Sequence, residues 1–213
     1  MTFTEKRIFV IASVLISFFT YLAAGMLAGK VVPWSTVQSV AAFVCAYLML
    51  SLMMKRFPEE AENEIVTGDV QKDHGTSGKP RLVRTVVLSS VLMLCVNFAL
   101  SFIVSDTSVP DREDLLLRAV TGVFVLPAME EYLFRHGYLK ALLRGNFPEY
   151  VPIILQAVLF ASLHKGVGIP VAFICGIILG MTYVKTDERH RFIAVYASHA
   201  IYNGVLYAVL ALT

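Results

Sequence analysis

Two adjacent glutamates and an arginine lie inside the apolar run LPAMEEYLFR, residues 126–135. Two later apolar runs each carry a histidine with a companion four residues away, FASLH at 160–164 and HAIYN at 199–203. A charge at the centre of a bilayer costs at least ~2.5–3.5 kcal/mol on insertion scales, so these residues need a reason to be there. Helical spacing sorts them. Glu131 and Arg135 are four apart and share a face, with the acid on the favourable amino-terminal side, which predicts an ion pair neutralising both. Glu130 lies ~100° around the helix, cannot join that pair equally well, and is directed elsewhere. Phe160 and His164 share one helical face, as do His199 and Asn203. Counting ~1.5 Å per residue from the cytoplasmic ends of their helices puts Glu130, His164 and His199 between that interface and the midplane, within reach of one cavity.

A lone His or Asn in a span is most often interhelical glue, worth ~0.6 kcal/mol on average. A carboxylate with two imidazoles and an amide at similar depth reads as a site. The chemistry that suits this set is hydrolysis. A carboxylate among apolar helices suits a general base. An imidazole can orient the attacking water, and a second imidazole with an amide N–H can hold the oxyanion formed on an amide carbonyl. No nucleophilic serine or cysteine is needed. Glutamate with two histidines can also form a catalytic zinc site. HExxH is absent and neither histidine has a ligand at metal-binding spacing, so the expectation is a cofactor-free mechanism with zinc as the alternative. Serine chemistry of the rhomboid kind lacks its GxSG motif, and presenilin-like chemistry lacks paired intramembrane aspartates. A proton-coupled carrier using the same residues as a relay is the rival from another class, although no internal repeat is present.

These residues must be held by membrane helices. Of 213 residues, 57% are hydrophobic and only 16% charged, with mean hydropathy +0.69. Soluble domains carry about 25% charged residues, so the composition predicts an all-α, polytopic transmembrane bundle. Net charge of +2 gives no argument for nucleic acid. Spans are expected at Ile8 to Ala28, Pro33 to Met54, Thr85 to Val104, Leu115 to Leu143, Val151 to His164, Ile169 to Val184 and Phe192 to Leu212, about seven in all. The fourth is too long for a straight crossing and holds Pro127, which predicts a kink or an overhang. Lys6 and Arg7 followed by an apolar run mimic a signal peptide, but the run continues through Ala28 and reads as an uncleaved first span. With the amino terminus inside, thirteen Lys and Arg fall on the cytoplasmic side against four outside, Lys30, Arg112, Arg118 and Lys165; that asymmetry sets the orientation. The polar stretch at 55–84 reads as a cytoplasmic loop. Cys45, Cys95 and Cys175 show no metal or disulfide pattern and read as buried, inert thiols.

In their order, EEYLFR, FASLH and HAIYN resemble the EExxxR, FxxxH and HxxxN motifs of the CAAX-protease and bacteriocin-processing family, which includes the Rce1-like prenyl-protein endopeptidases. The resemblance covers Glu130 to Asn203; the first hundred or so residues resemble the family only in being membrane helices. A single membrane domain over 1–213 is expected, because no soluble stretch is long enough to bury a core of its own, with amino-terminal helices and the cytoplasmic loop 55–84 over 1–104 and a family-like catalytic core over 115–213. The resemblance implies an intramembrane endopeptidase in which Glu130 activates water with help from His164. His199 and Asn203 would form the oxyanion site, Glu131 and Arg135 would brace the helix, and Phe160 would pack. The implied partners are the lipid bilayer and a membrane-associated peptide or protein, lipidated substrates included, and the expected location is a bacterial plasma membrane. Some members serve bacteriocin immunity, so a non-catalytic immunity or binding protein is a further alternative.

Overall fold

The structure, a computed structural model, describes residues 1–31, 35–57, 78–101, 115–166 and 168–212, and every regular element among them is helical. In chain order these are α1 (Phe3–Val31), α2 (Ser35–Met54), α3 (Gly78–Ser101), α4 (Leu115–Val120), a π-helical turn at Thr121–Val125, α5 (Leu126–Glu131), a π-helical stretch at Tyr132–Leu139, α6 (Lys140–Leu143), α7 (Tyr150–Ala161), α8 (Gly168–Lys185), a 3-10 turn at Glu188–His190 and α9 (Arg191–Leu212). Among the described residues, five segments are long and apolar enough to cross a membrane: Phe3–Lys30, Val37–Met54, Pro80–Ser101, Gly168–Lys185 and Glu188–Leu212. Their outer faces are apolar too, with Phe19, Met26, Leu48, Phe98 and Val209 exposed. Such a surface is costly in water and neutral in lipid. The chain is an all-helical integral membrane protein, as its composition requires.

The chain divides into two compact units, one of Met1–Thr76 with Leu133–Pro152 and one of Ser77–Tyr132 with Ile153–Thr213. Within the first, α1 packs along α2. Val10, Val14 and Phe18 of α1 and Ala42, Phe43, Ala46 and Leu50 of α2 are all buried. The Ser17 hydroxyl lies 2.6 Å from the Ala46 carbonyl and 3.1 Å from the Tyr138 hydroxyl. Arg7 donates to the Asn146 carbonyl at 2.7 Å while its guanidinium sits 5.2 Å from the centre of the Phe147 ring.

The second unit packs α3, α8 and α9 against one another, with α4 and α5 on α9. Small polar side chains link these helices, as they do where lipid removes any hydrophobic drive between spans. Ser89 meets Thr182 at 2.7 Å, and Ser90 donates to the Ser198 carbonyl at 3.2 Å. Glycine brings α7 and α8 close. A Cβ on Gly176 would lie 3.0 Å from that of Ala157, and Gln156 of α7 donates to the Gly176 carbonyl at 2.8 Å.

Three expectations change in detail. Residues 115–143 are not one kinked α-helix: α5 is flanked by π-helical turns, with the Leu126 N–H bonded back to the Thr121 carbonyl. Pro127 has no N–H to give, and the turn before it widens by one residue. The fifth helix ends at Ala161, not at His164. Its twelve residues span ~18 Å at ~1.5 Å each, short of a ~30 Å hydrocarbon core. Of the cysteines, only Cys175 is buried; Cys45 and Cys95 are exposed. A lipid-facing surface is as apolar as the core, so an apolar run does not say which way a small side chain faces. Most of the polar stretch at 55–84, residues 58–77, and the end of the third expected span, residues 102–104, lie outside the described residues.

Candidate active site

The second unit contains Glu130, Glu131, Phe160, His164, His199 and Asn203. Glu130 and Glu131 close α5, and consecutive helical residues point ~100° apart. The two carboxylates reach the two nitrogens of a single imidazole, that of His199 on α9. Glu131 Oε1 is 2.8 Å from Nδ1, and Glu130 Oε2 is 3.8 Å from Nε2. The two acids differ in access. Glu131 is sealed at 0% side-chain exposure, whereas Glu130 is 22% exposed. A carboxylate only accepts here, so Nδ1 carries the proton it donates to Glu131, and Nε2 is the nitrogen turned toward Glu130.

His164 is placed differently from the expectation of a shared helical face. It sits in the turn after α7, with its N–H bonded to the Ala161 carbonyl at 3.0 Å and its Nδ1 3.1 Å from the Phe160 carbonyl. The last carbonyls of a helix lack intrahelical donors, and a histidine four residues on supplies one. Donation from Nδ1 leaves Nε2 as the working nitrogen. Gly166 follows with φ of 54°, a left-handed conformation that glycine adopts without strain, and turns the chain toward α8. The Phe160 ring stands edge-on to both imidazoles, its centroid 4.9 Å from that of His164 and 6.2 Å from that of His199. It is buried, so it limits the rotation of both rings.

Asn203 lies one turn beyond His199 on α9, and its Nδ2 donates to the Gly122 carbonyl at 2.8 Å. A cavity of about 350 Å³ is lined by Glu130, His164, His199 and Asn203 together, so all four residues expected at one depth share one space. Its lining also includes apolar side chains of α8, Val171, Ala172 and Leu179. That volume is within the range that holds a small ligand or a few residues of a peptide.

Sequence reasoning missed two features. Asn97 of α3 also lines the cavity, and its signal was available, since a carboxamide inside an apolar span is itself unusual. The bond between Glu131 and His199 had no signal, because nothing in the chain marks residues 131 and 199 as neighbours. Arg135, the expected partner of Glu131, is buried on the π-helical stretch. Among the described residues no three or more His, Cys, Asp or Glu side chains converge as a cation site.

Residues 112–205 match the family model described as type II CAAX prenyl endopeptidase, Rce1-like. The matched segment contains every residue of the cavity's polar set named from the motifs, Glu130, His164, His199 and Asn203. No curated protein and no solved structure matches the chain.

Proposed function

We propose that the chain, whose residues 112–205 match the Rce1-like family model, is an intramembrane endopeptidase using glutamate-activated water. That match supports the broader statement, a membrane protease. The mechanism rests on the site. Glu130, at the open edge of the cavity, takes a proton from water, and His164 orients that water through Nε2. The water oxygen bonds to the carbonyl carbon of the scissile peptide as the C=O electrons move onto oxygen. His199 Nε2–H and Asn203 Nδ2–H hold the resulting oxyanion. Collapse breaks the C–N bond, and the proton held by Glu130 passes to the departing amine. Donation from Nε2 requires both nitrogens of His199 to carry protons, and Glu131 on Nδ1 is the counter-charge this form needs. Phe160 packs the two imidazoles, and Glu131 with Arg135 braces the segment. The scheme uses no metal.

The observation that carries this reading is the bracket of two glutamates around His199, one sealed and one facing the cavity. The apolar wall of α8 suits a peptide delivered from the bilayer, lipidated ones included. Comparing the peptides in membranes from cells carrying the wild type or Glu130→Gln tests the proposal. A precursor that accumulates in the variant, with its cleaved product lost, identifies the substrate; identical peptide profiles would leave the immunity and carrier readings ahead.

Glu131→Gln separates orientation from charge. Glutamine can still accept from Nδ1, so the ring stays in place while the counter-charge is gone. Hydrolysis should fall by ~10–100-fold, the scale on which outer-shell partners of metal-bound histidines act. Wild-type turnover by a folded Glu131→Gln protein would confine Glu131 to the fold.

The Lys and Arg asymmetry supports an amino terminus in the cytoplasm, which we place in a bacterial plasma membrane. Glu188 is exposed in the turn between α8 and α9. A Glu188→Cys protein in intact cells should resist a membrane-impermeant thiol reagent and react once the cytoplasm is opened. Labelling from outside reverses the topology.

A further inference from the structure

The π-helical turn before α5 leaves the Gly122 carbonyl in need of a donor, and Asn203 serves it. Gly122 could receive a hydrogen bond from the N–H of residue 126 in α-helical register or from residue 127 in π-helical register. Leu126 gives its N–H to the Thr121 carbonyl. Residue 127 is proline and has none to give. Buried carbonyls in membrane helices are commonly served by a neighbouring helix when proline interrupts the ladder. Here the Asn203 Nδ2 on α9 supplies the bond at 2.8 Å.

A second feature is the room that Gly122 leaves for Tyr207 of α9. Gly122 is buried against Tyr207, and a Cβ added there would lie 2.6 Å from the Tyr207 hydroxyl oxygen and 2.7–2.9 Å from ring carbons. Any side chain at position 122 would displace the Tyr207 ring. Gly122 thus makes room for that ring and Pro127 keeps the Gly122 carbonyl open. Asn203, one turn from His199, then has one N–H fixed while the other is left for the cavity it lines.

The geometry points to Gly122 and Pro127 as positioning residues that set the orientation of the Asn203 amide. Their value to hydrolysis rests on the oxyanion role proposed above; the positioning itself does not. Pro127→Ala isolates the effect. The new N–H restores a backbone donor to Gly122 in either register: in π-helical register residue 127 bonds it directly, and in α-helical register the N–H of Leu126 does. Asn203 then has a competitor for its acceptor.

Two measurements on the full chain in detergent micelles test this, neither requiring turnover. With asparagine labelled by ¹⁵N, the side-chain amide pair of Asn203, identified by its loss in Asn203→Ala, should shift or broaden in Pro127→Ala. An unchanged pair in a folded variant overturns the proposal. In thermal unfolding, Asn203→Ala should lower the midpoint by ~2–4 °C on the wild-type background and by much less on the Pro127→Ala background, where Gly122 has another donor. Equal losses on both backgrounds also overturn it, because the proline would then act without Asn203. Should both measurements succeed while Asn203→Ala hydrolyses peptide normally, the positioning stands and the oxyanion role falls.

Discussion

Glu130→Gln should give a folded protein that hydrolyses its peptide ~10²–10⁴-fold more slowly, the span typical of a lost general base. Glutamine has nearly the volume and shape of glutamate. The side chain is 22% exposed and stands 3.8 Å from His199 Nε2, so replacement does not remove a sealed ion. The loss therefore belongs to the chemical step and should lower kcat with little change in KM. Unfolding monitored by circular dichroism should match the wild type closely. Chelation provides a companion result: the wild type should keep its activity after treatment with a strong zinc chelator. Loss on chelation with rescue by zinc would turn Glu130, His164 and His199 into ligands, and full activity of Glu130→Gln on a verified substrate would sink the base assignment.

Asn203→Ala should be nearly as damaging, ~10²–10³-fold in turnover if one oxyanion donor is lost. It should also weaken the protein, because the Gly122 carbonyl loses the donor at 2.8 Å. A buried polar group left without its partner costs ~1–3 kcal/mol. The two effects separate by temperature. Turnover measured well below the unfolding midpoint reports the oxyanion loss alone, while the midpoint reports the carbonyl. A variant that unfolds earlier but turns over normally would make Asn203 a packing residue.

The membrane helices were legible because lipid imposes a strong rule. A segment that must satisfy every backbone group without water shows as a long apolar run, and α2, α8 and α9 start and stop within two residues of the runs read from the sequence. The polar set was legible for the same reason: Glu130, Glu131, His164, His199 and Asn203 stand out because their surroundings are apolar. Local spacing then reached its limit. It described Glu131 through its neighbour in the chain, Arg135, and had no access to His199, 68 positions away, which its carboxylate meets at 2.8 Å. It treated FASLH as one helical face, whereas α7 stops at Ala161 and His164 turns back to bond the Phe160 carbonyl. It read the long segment around Pro127 as a kink or an overhang, while the observed response is a π-helical turn whose spare carbonyl is served from α9. The sequence by itself determined which side chains had to leave lipid and what chemistry their types allow. Only the tertiary structure decided which nitrogen faces which carboxylate, because hydrogen-bond partners within 3 Å are chosen by the approach of helices far apart in the chain.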